Sequence, residues 1–420
     1  MTAAAQIQAA TTGTINLLGW DTAYLICLDS LNGSLQAGVG TLPSTLKGQN
    51  QPGSDLQYQL NGTVGAWQFQ SLGAGDALQL VIPFTGGTVV IGSETSNLAG
   101  VSIALEVRLQ WLPSNVADGY GAALQYPAPS AMGSSAVQVA AGLGIQAKVL
   151  LPACVADTLG QQAGSITWRL AEANPAPAGS DTWLAPSSSE FLVAVDSVSG
   201  RAFVGILGAL AGENVSSLPR SIGFALPQTG AAYAIAGNAL MRNPIGRALA
   251  RSFALDPNSM WMDPFGNLEW SGTHDFPPVK VGLIHYHPVL DSLSASLSGA
   301  NLLLRGNGHC QLSPGIVLPY TIQATYTATF DRQTATLSFA AQGKPTVNYQ
   351  SLSGFGDIIQ LIIEGIIQAV ADAIGQAMEN SALVTGAVPG MMGTVLWSGM
   401  KTPSITSWQM NGSLLVDATF

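Results

Sequence analysis

The sequence predicts an α+β fold, a strongly curved antiparallel sheet wrapped around long amphipathic helices. Three patterns carry that prediction. Apolar and polar residues alternate over long runs, such as Val101, Ile103, Leu105, Val107, Leu109 and Trp111 with Ser102, Glu106, Arg108 and Gln110 between them, which is the period of a strand with one dry face. Turn signals at Asn61-Gly62, Gly86-Gly87 and Pro113-Ser114-Asn115 separate those runs and favour an antiparallel meander. From Gly356 to Glu379 the period becomes helical, and the segment is apolar over most of its circumference, so it must be enclosed.

Met1 to Gly13 has no organised periodicity and is expected to be disordered. From Asn16 to Gln36, Leu17, Trp20, Tyr24, Cys27, Leu28, Leu31 and Leu35 fall at three- and four-residue steps, which predicts an amphipathic helix. Period-two runs follow at Leu56–Leu60, Leu78–Phe84 and Val101–Trp111. The stretch from Tyr120 to Ser189 is rich in Ala, Pro, Gly and Ser, includes Asn174-Pro175-Ala176-Pro177, and reads as strands with long loops. A shorter helix is expected at Asn238 to Ser252, although Pro244 and Gly246 oppose a regular one. Alternation resumes at Leu293, Ala295 and Leu297 and is clearest in Ile322, Ala324, Tyr326, Ala328 and Phe330, with a Thr-rich opposite face.

In the late helix, Asp357 suits the N-cap, and Gln360, Glu364, Gln368, Asp372 and Gln376 form one narrow polar stripe. Gly365, Ala369 and Ala373 form a row of small residues that permits close approach, and isoleucines dominate the remaining arc. Strands return near Gly393 to Trp397 and Ile405 to Val416. These elements divide into an N-terminal lobe over 14–235 and a C-terminal lobe over 236–420.

Charged residues make up only 9% of the chain and hydrophobic ones 47%, so Ser, Thr, Asn, Gln and Gly must supply much of the wet surface. A formal charge of −10 with no basic run argues against nucleic acid and against docking on anionic lipid headgroups through charge. No apolar run is long enough to span a bilayer uninterrupted; Ile358 to Ile374 is broken by Gln360, Glu364, Gln368 and Asp372. The first residues lack the positive charge and apolar core of a signal peptide, which predicts cytoplasmic synthesis and, for any exported fraction, a non-classical route. Cys27, Cys154 and Cys310 are odd in number and widely spaced, so buried thiols are expected rather than disulfides or a zinc site.

Catalytic patterns are missing. No G-x-S-x-G pentapeptide and no G-x-x-x-x-G-K-[ST] loop occurs, and Gly38-Val39-Gly40 and Gly142-Leu143-Gly144 lack the third glycine of a dinucleotide fingerprint. His285-Tyr286-His287 could present two imidazoles on one strand face, but Pro288 follows and no third ligand stands at a diagnostic spacing. The expectation is a protein that is not an enzyme and uses no metal or cofactor.

The string Asn16-Leu17-Leu18-Gly19-Trp20-Asp21-Thr22-Ala23-Tyr24-Leu25-Ile26, closing with Leu31-Asn32, resembles the opening of the clostridial forty-seven-kilodalton accessory proteins encoded in botulinum neurotoxin gene clusters, with Gly19, Trp20, Asp21, Thr22 and Tyr24 as the matching positions. Chain length, a strand-rich body and a late amphipathic helix are also similar. The resemblance implies the tubular lipid-binding (TULIP-like) fold, an elongated structure with an apolar channel for acyl chains, and bacterial homologues beside toxin genes. Fewer lysines and more Ala and Gly than in clostridial members put a shared toxin partner in doubt.

The functional expectation is therefore non-catalytic binding or carriage of a lipid, fatty-acid-like or other hydrophobic ligand. Its candidate lining is Trp20, Tyr24, Leu28 and Leu31 from the first helix with Ile359, Ile363, Ile366 and Val370 from the late one, although each of these also suits a plain core position. The alternative is a structural or interaction protein, a toxin-complex accessory or chaperone, with a filled core and no ligand.

Overall fold

The computed structural model describes residues 13–420 except 14, 38–41, 51–54, 74, 114–119, 126–135, 139–142, 163–168, 174–181, 185, 197, 211–214, 228–229, 351, 353–355 and 380. The expected disordered N-terminus and the turns at 38–40 and 174–177 lie outside the described residues. The fold is α+β, and every described strand pairing is antiparallel.

The expected helix over Asn16–Gln36 needs correction. Thr22–Cys27 is a strand, and only Leu28–Gln36 is helical (α1). The strand is buried along its whole length, with Tyr24 paired to Ile206 on one side and Tyr233 on the other. A central strand with two dry faces shows no alternation, so its apolar residues mimic helical steps when a real helix follows. Six strands form this sheet, in the order Ser188–Val195, Ala202–Ala209, Thr22–Cys27, Ala231–Ile235, Ser413–Thr419 and Ser404–Asn411. The last two strands of the chain thus join the sheet through Ala231–Ile235, which pairs with the first strand.

A ten-stranded sheet begins at Thr45–Gln49 and ends on Val395–Trp397, again joining early and late segments. Its predicted alternation is present: Ile103, Leu105, Val107 and Leu109 are buried, and Tyr58–Val64 alternates buried and exposed residue by residue. The stretch expected as strands with loops does contain strands, at Tyr120–Gln125, Ala136–Gln138 and Arg169–Ala173, but also an unexpected helix, α2 at Ile145–Gln161. Ala147, Leu151, Cys154, Val155, Thr158 and Leu159 are its buried stripe, a helical period that Pro152 and the flanking glycines conceal.

Helix α3 (Gly237–Leu240), a π-helical turn (Met241–Ile245) and α4 (Gly246–Ser252) form one continuous rod. Pro244 lacks an N–H, and the wider turn absorbs the missing i→i−4 bond. A seven-stranded sheet follows, with Asn301–Ser313 and Ile316–Asp331 at its centre; Leu318, Tyr320, Ile322, Tyr326 and Ala328 point to the core, while Thr321, Gln323 and Thr329 are exposed.

The late helix, α5, spans Gly356–Glu379 as expected. Its stripe is solvated at Gln360, Glu364, Gln368 and Asp372, and Gln360 donates to Glu364 and Gln368 to Asp372. Gly365 allows the hairpin Val279–Val281/Ile284–Tyr286 to approach, because a Cβ there would stand 2.3 Å from Val279 Cγ2. Two short helices, α6 (Ala382–Thr385) and α7 (Ala387–Thr394), lead back to the sheets. Among the described residues α5 is the one helix with the length and apolar composition to cross a membrane. It packs on α4, on the hairpin and on strands Thr336–Ala341 and Thr346–Tyr349.

Candidate apolar cleft

All eight expected lining residues are buried, but they do not surround one space. Trp20 belongs to a smaller core on one side of the six-stranded sheet, and Tyr24 belongs to the main core on the other. Leu28 and Leu31 on α1 pack toward strands Gln68–Ser71 and Ala202–Ala209, whereas Ile359, Ile363, Ile366 and Val370 face the neighbours of α5. Beside α5 the cavity bounded by Phe253, Phe276, Leu290, Val370 and Ile374 holds only about 10 Å³, enough for about one water and far too little for an acyl chain. Side chains therefore leave no room for a ligand at Val370 and Ile374; a wider opening of about 410 Å³ borders α5 on another side, at Ala371, Asp372 and Gly375.

A larger opening lies where the three large sheets meet. Val395–Trp397 closes the ten-stranded sheet, Tyr233 and Ser404 come from the six-stranded one, and the turn Arg332–Ala335 joins two strands of the seven-stranded one. Together with α7 and the loop 398–403 they enclose a cleft of about 820 Å³. That volume lies within the range of small-molecule sites, about 300–1,000 Å³. Its walls are Pro389, Met392, Val395, Leu396, Trp397, Met400, Ile405 and Phe420, and Arg332, Gln333, Thr334, Lys401 and Thr402 supply the polar part.

Local sequence explains this wall. Pro389 sits in the first turn of α7, where its missing N–H costs no helical bond. Met391 is buried in the core, and Met392, the next residue round the helix, is half-buried and faces the cleft. Strand Val395–Trp397 then buries Val395 and Trp397 and leaves Leu396 48% exposed at the cleft. Methionine suits such a wall because its flexible thioether adapts to irregular apolar shapes.

Behind the wall the polar groups are short of partners. The Trp397 Nε1–H is buried with no acceptor. Tyr24 Oη lies near Thr22 and Thr394 without a well-formed hydrogen bond, and burial pushes its hydroxyl up to about 12. Burial also raises the Tyr233 hydroxyl, which stands beside Tyr24 with the rings edge-on at 6.4 Å. These groups remain neutral at physiological pH and offer no acid–base chemistry.

The histidines are dispersed. His309 Nδ1 lies 2.8 Å from Asp291 Oδ2, and His274 stands edge-on to Phe253 and Phe276, its burial lowering its pKa. His285 lies opposite Lys280 on the hairpin, and among the described residues no three His, Cys, Asp or Glu side chains are grouped to hold a metal. The three cysteines are buried free thiols.

The structure of P47 from Clostridium botulinum A2 matches this chain with a TM-score of 0.73 over 97% of its length and 98% of that chain, at 16% identity. The chain has the P47 fold. P47 of Clostridium botulinum E1 matches equally, with a TM-score of 0.73 over 97% of this chain and 100% of that one, at 14% identity. No protein-family model and no curated protein matches the sequence.

The string that carried the resemblance to P47 anchors the six-stranded sheet. Gly19 has φ +100°, a conformation that disfavours a side chain. Trp20 Nε1 donates to the Pro219 carbonyl at 2.8 Å, and Asp21 Oδ2 accepts from the Leu210 N–H at 2.7 Å. The Asp21 backbone bonds Gly208, within the neighbouring strand Ala202–Ala209, and Ala236, the residue after the other neighbour Ala231–Ile235. These bonds give the motif a structural role; it also borders a smaller opening of about 310 Å³ with Asn238, Arg242 and Ser413, and the apolar cleft lies outside it.

Proposed function

We propose that this protein binds a hydrophobic ligand in the cleft between α7, the 398–403 loop and the 332–335 turn, and that it acts as a carrier without catalysis. The observation that carries the reading is the contrast in free volume: about 820 Å³ in this apolar-walled cleft against about 10 Å³ beside Val370 and Ile374 of α5 and about 410 Å³ in the opening at Ala371, Asp372 and Gly375. An acyl chain gains about 0.8 kcal/mol per buried methylene, so a chain lying along Met392, Trp397 and Met400 would be held without any specific polar contact. The likeness to P47 supports a bacterial accessory role, associated with a toxin cluster, in which the cargo matters more than chemistry.

Titration with a fluorescent fatty acid tests this. Met392→Trp and Met400→Trp, both at half-buried positions, should narrow the cleft and reduce uptake at least tenfold while leaving the melting temperature within a few degrees. Uptake unchanged in both variants would reject the cleft. A second reading, a toxin-complex accessory protein with no ligand, is favoured by the filled space beside Val370 and Ile374 of α5, and it predicts no uptake by the wild-type protein.

A further inference from the structure

We infer that the cleft selects an amphiphile with one apolar chain and an anionic head, which Arg332 and Lys401 hold at the cleft mouth. The inference rests on the reading of the cleft as a ligand site. Its basis is where the scarce charges lie. The chain has only 14 Lys+Arg among 420 residues, so two of them lining one cleft concentrate scarce positive charge there. The described ion pairs do form elsewhere: Arg108 and Arg220 with Asp76, Arg220 also with Glu190, and Arg169 with Glu172.

Arg332 and Lys401 both line the cleft, and neither has an ion pair among the described residues. No Asp or Glu side chain lines the cleft. The neighbouring Asp331 does not neutralise Arg332 but turns inward on its own turn, where it accepts the Gln333 N–H at 2.8 Å. Those bonds hold its carboxyl below the ordinary range. The two cations come from different segments, the 332–335 turn and the 398–403 loop, and line the same apolar-walled cleft. Two cations without ion pairs beside apolar walls match a negatively charged head with a single apolar tail. A carboxylate and a phosphate monoester share that chemistry.

The test uses the full chain and four probes of equal tail length: dodecanoate, dodecyl phosphate, dodecanol and dodecyltrimethylammonium. Competition against a bound fluorescent probe should rank the two anions about tenfold or more above the neutral and cationic amphiphiles, as expected for a charge-assisted hydrogen bond. The relative affinity of carboxylate and phosphate assigns the head. In Arg332→Gln/Lys401→Gln the anion preference should collapse while dodecanol binding is retained, and raised salt should narrow the preference in the wild type. Equal binding of all four probes, or an anion preference that survives the double substitution, overturns this inference and leaves the hydrophobic site standing. Binding of none of the four rejects the site itself.

Discussion

Truncation and enlargement of Ile366 separate a filled core from a channel along α5. Ile366 is fully buried on the isoleucine arc, and the adjoining void, one turn further along, is about 10 Å³. Ile366→Ala removes three buried carbons, worth about 2.4 kcal/mol at about 0.8 kcal/mol each. The arc is clamped between α4, the hairpin seated on Gly365 and the seven-stranded sheet, so little collapse is available and the residual cavity raises the cost to about 3–5 kcal/mol. Ile366→Trp must force neighbours apart and costs about 1–3 kcal/mol or more. Urea unfolding midpoints of both variants, compared at equal slope, measure these losses, with fatty-acid uptake followed in parallel. Both variants should lose stability and, while folded, keep wild-type uptake. If Ile366→Trp is as stable as the wild type and abolishes uptake, the free volume lies along α5 and the assignment to the cleft is wrong.

Asp21→Ala strands the half-buried Leu210 N–H and should lower stability by about 1 kcal/mol without altering uptake, a split that urea midpoints and titration together would show. Asp417 is largely buried with Oδ1 unpaired, and desolvation raises its pKa against the opposing hydrogen bond from Ser407. A carboxyl whose folded pKa exceeds its unfolded one opposes folding once it ionises, so that penalty grows as pH rises from the unfolded value through the folded one. Asp417→Asn should therefore raise the melting temperature at neutral pH, with a gain that shrinks on acidification; a gain independent of pH would refute this. Gly365→Ala sets a Cβ 2.3 Å from Val279 Cγ2 and should cost about 1–3 kcal/mol, with hydrogen exchange rising in the 279–286 hairpin; unchanged exchange there would show that the hairpin does not depend on Gly365.

Most of the architecture was legible in sequence because most strands here have one wet face. Ile322 to Phe330 and Val101 to Trp111 alternate visibly, and α5 advertises itself through a polar stripe recurring every four residues. Thr22–Cys27 was misread because both its faces are dry, which removes the period-two signal and leaves Trp20, Tyr24, Leu28 and Leu31 at accidental helical steps. In α2 the helical stripe is present, but it lies within a stretch whose Ala, Pro, Gly and Ser content reads as strands and loops.

Burial alone could not find the cleft. Periodicity marks which residues are apolar and inward, and the isoleucines of α5 satisfy that by filling space. The cleft instead forms where segments far apart in sequence converge, Tyr233, Arg332, Met392 and Ile405 among them. Its local signals were an apolar Met391-Met392 and Val395-Leu396-Trp397 run beside Lys401, with Leu396 left exposed, which only the pairing of Val395–Trp397 with Arg169–Ala173 places at a sheet edge.

Photo-crosslinking tests the central claim most directly. A dodecanoate probe carrying a diazirine on its tail, bound to the full chain and irradiated, labels whatever lines its site, and peptide mass spectrometry maps the label. The account predicts labelling concentrated in residues 389–405, lost with excess unlabelled dodecanoate and reduced in Met392→Trp. Labelling concentrated on α5 between Ile358 and Ile374, or labelling that excess dodecanoate does not remove, would contradict it.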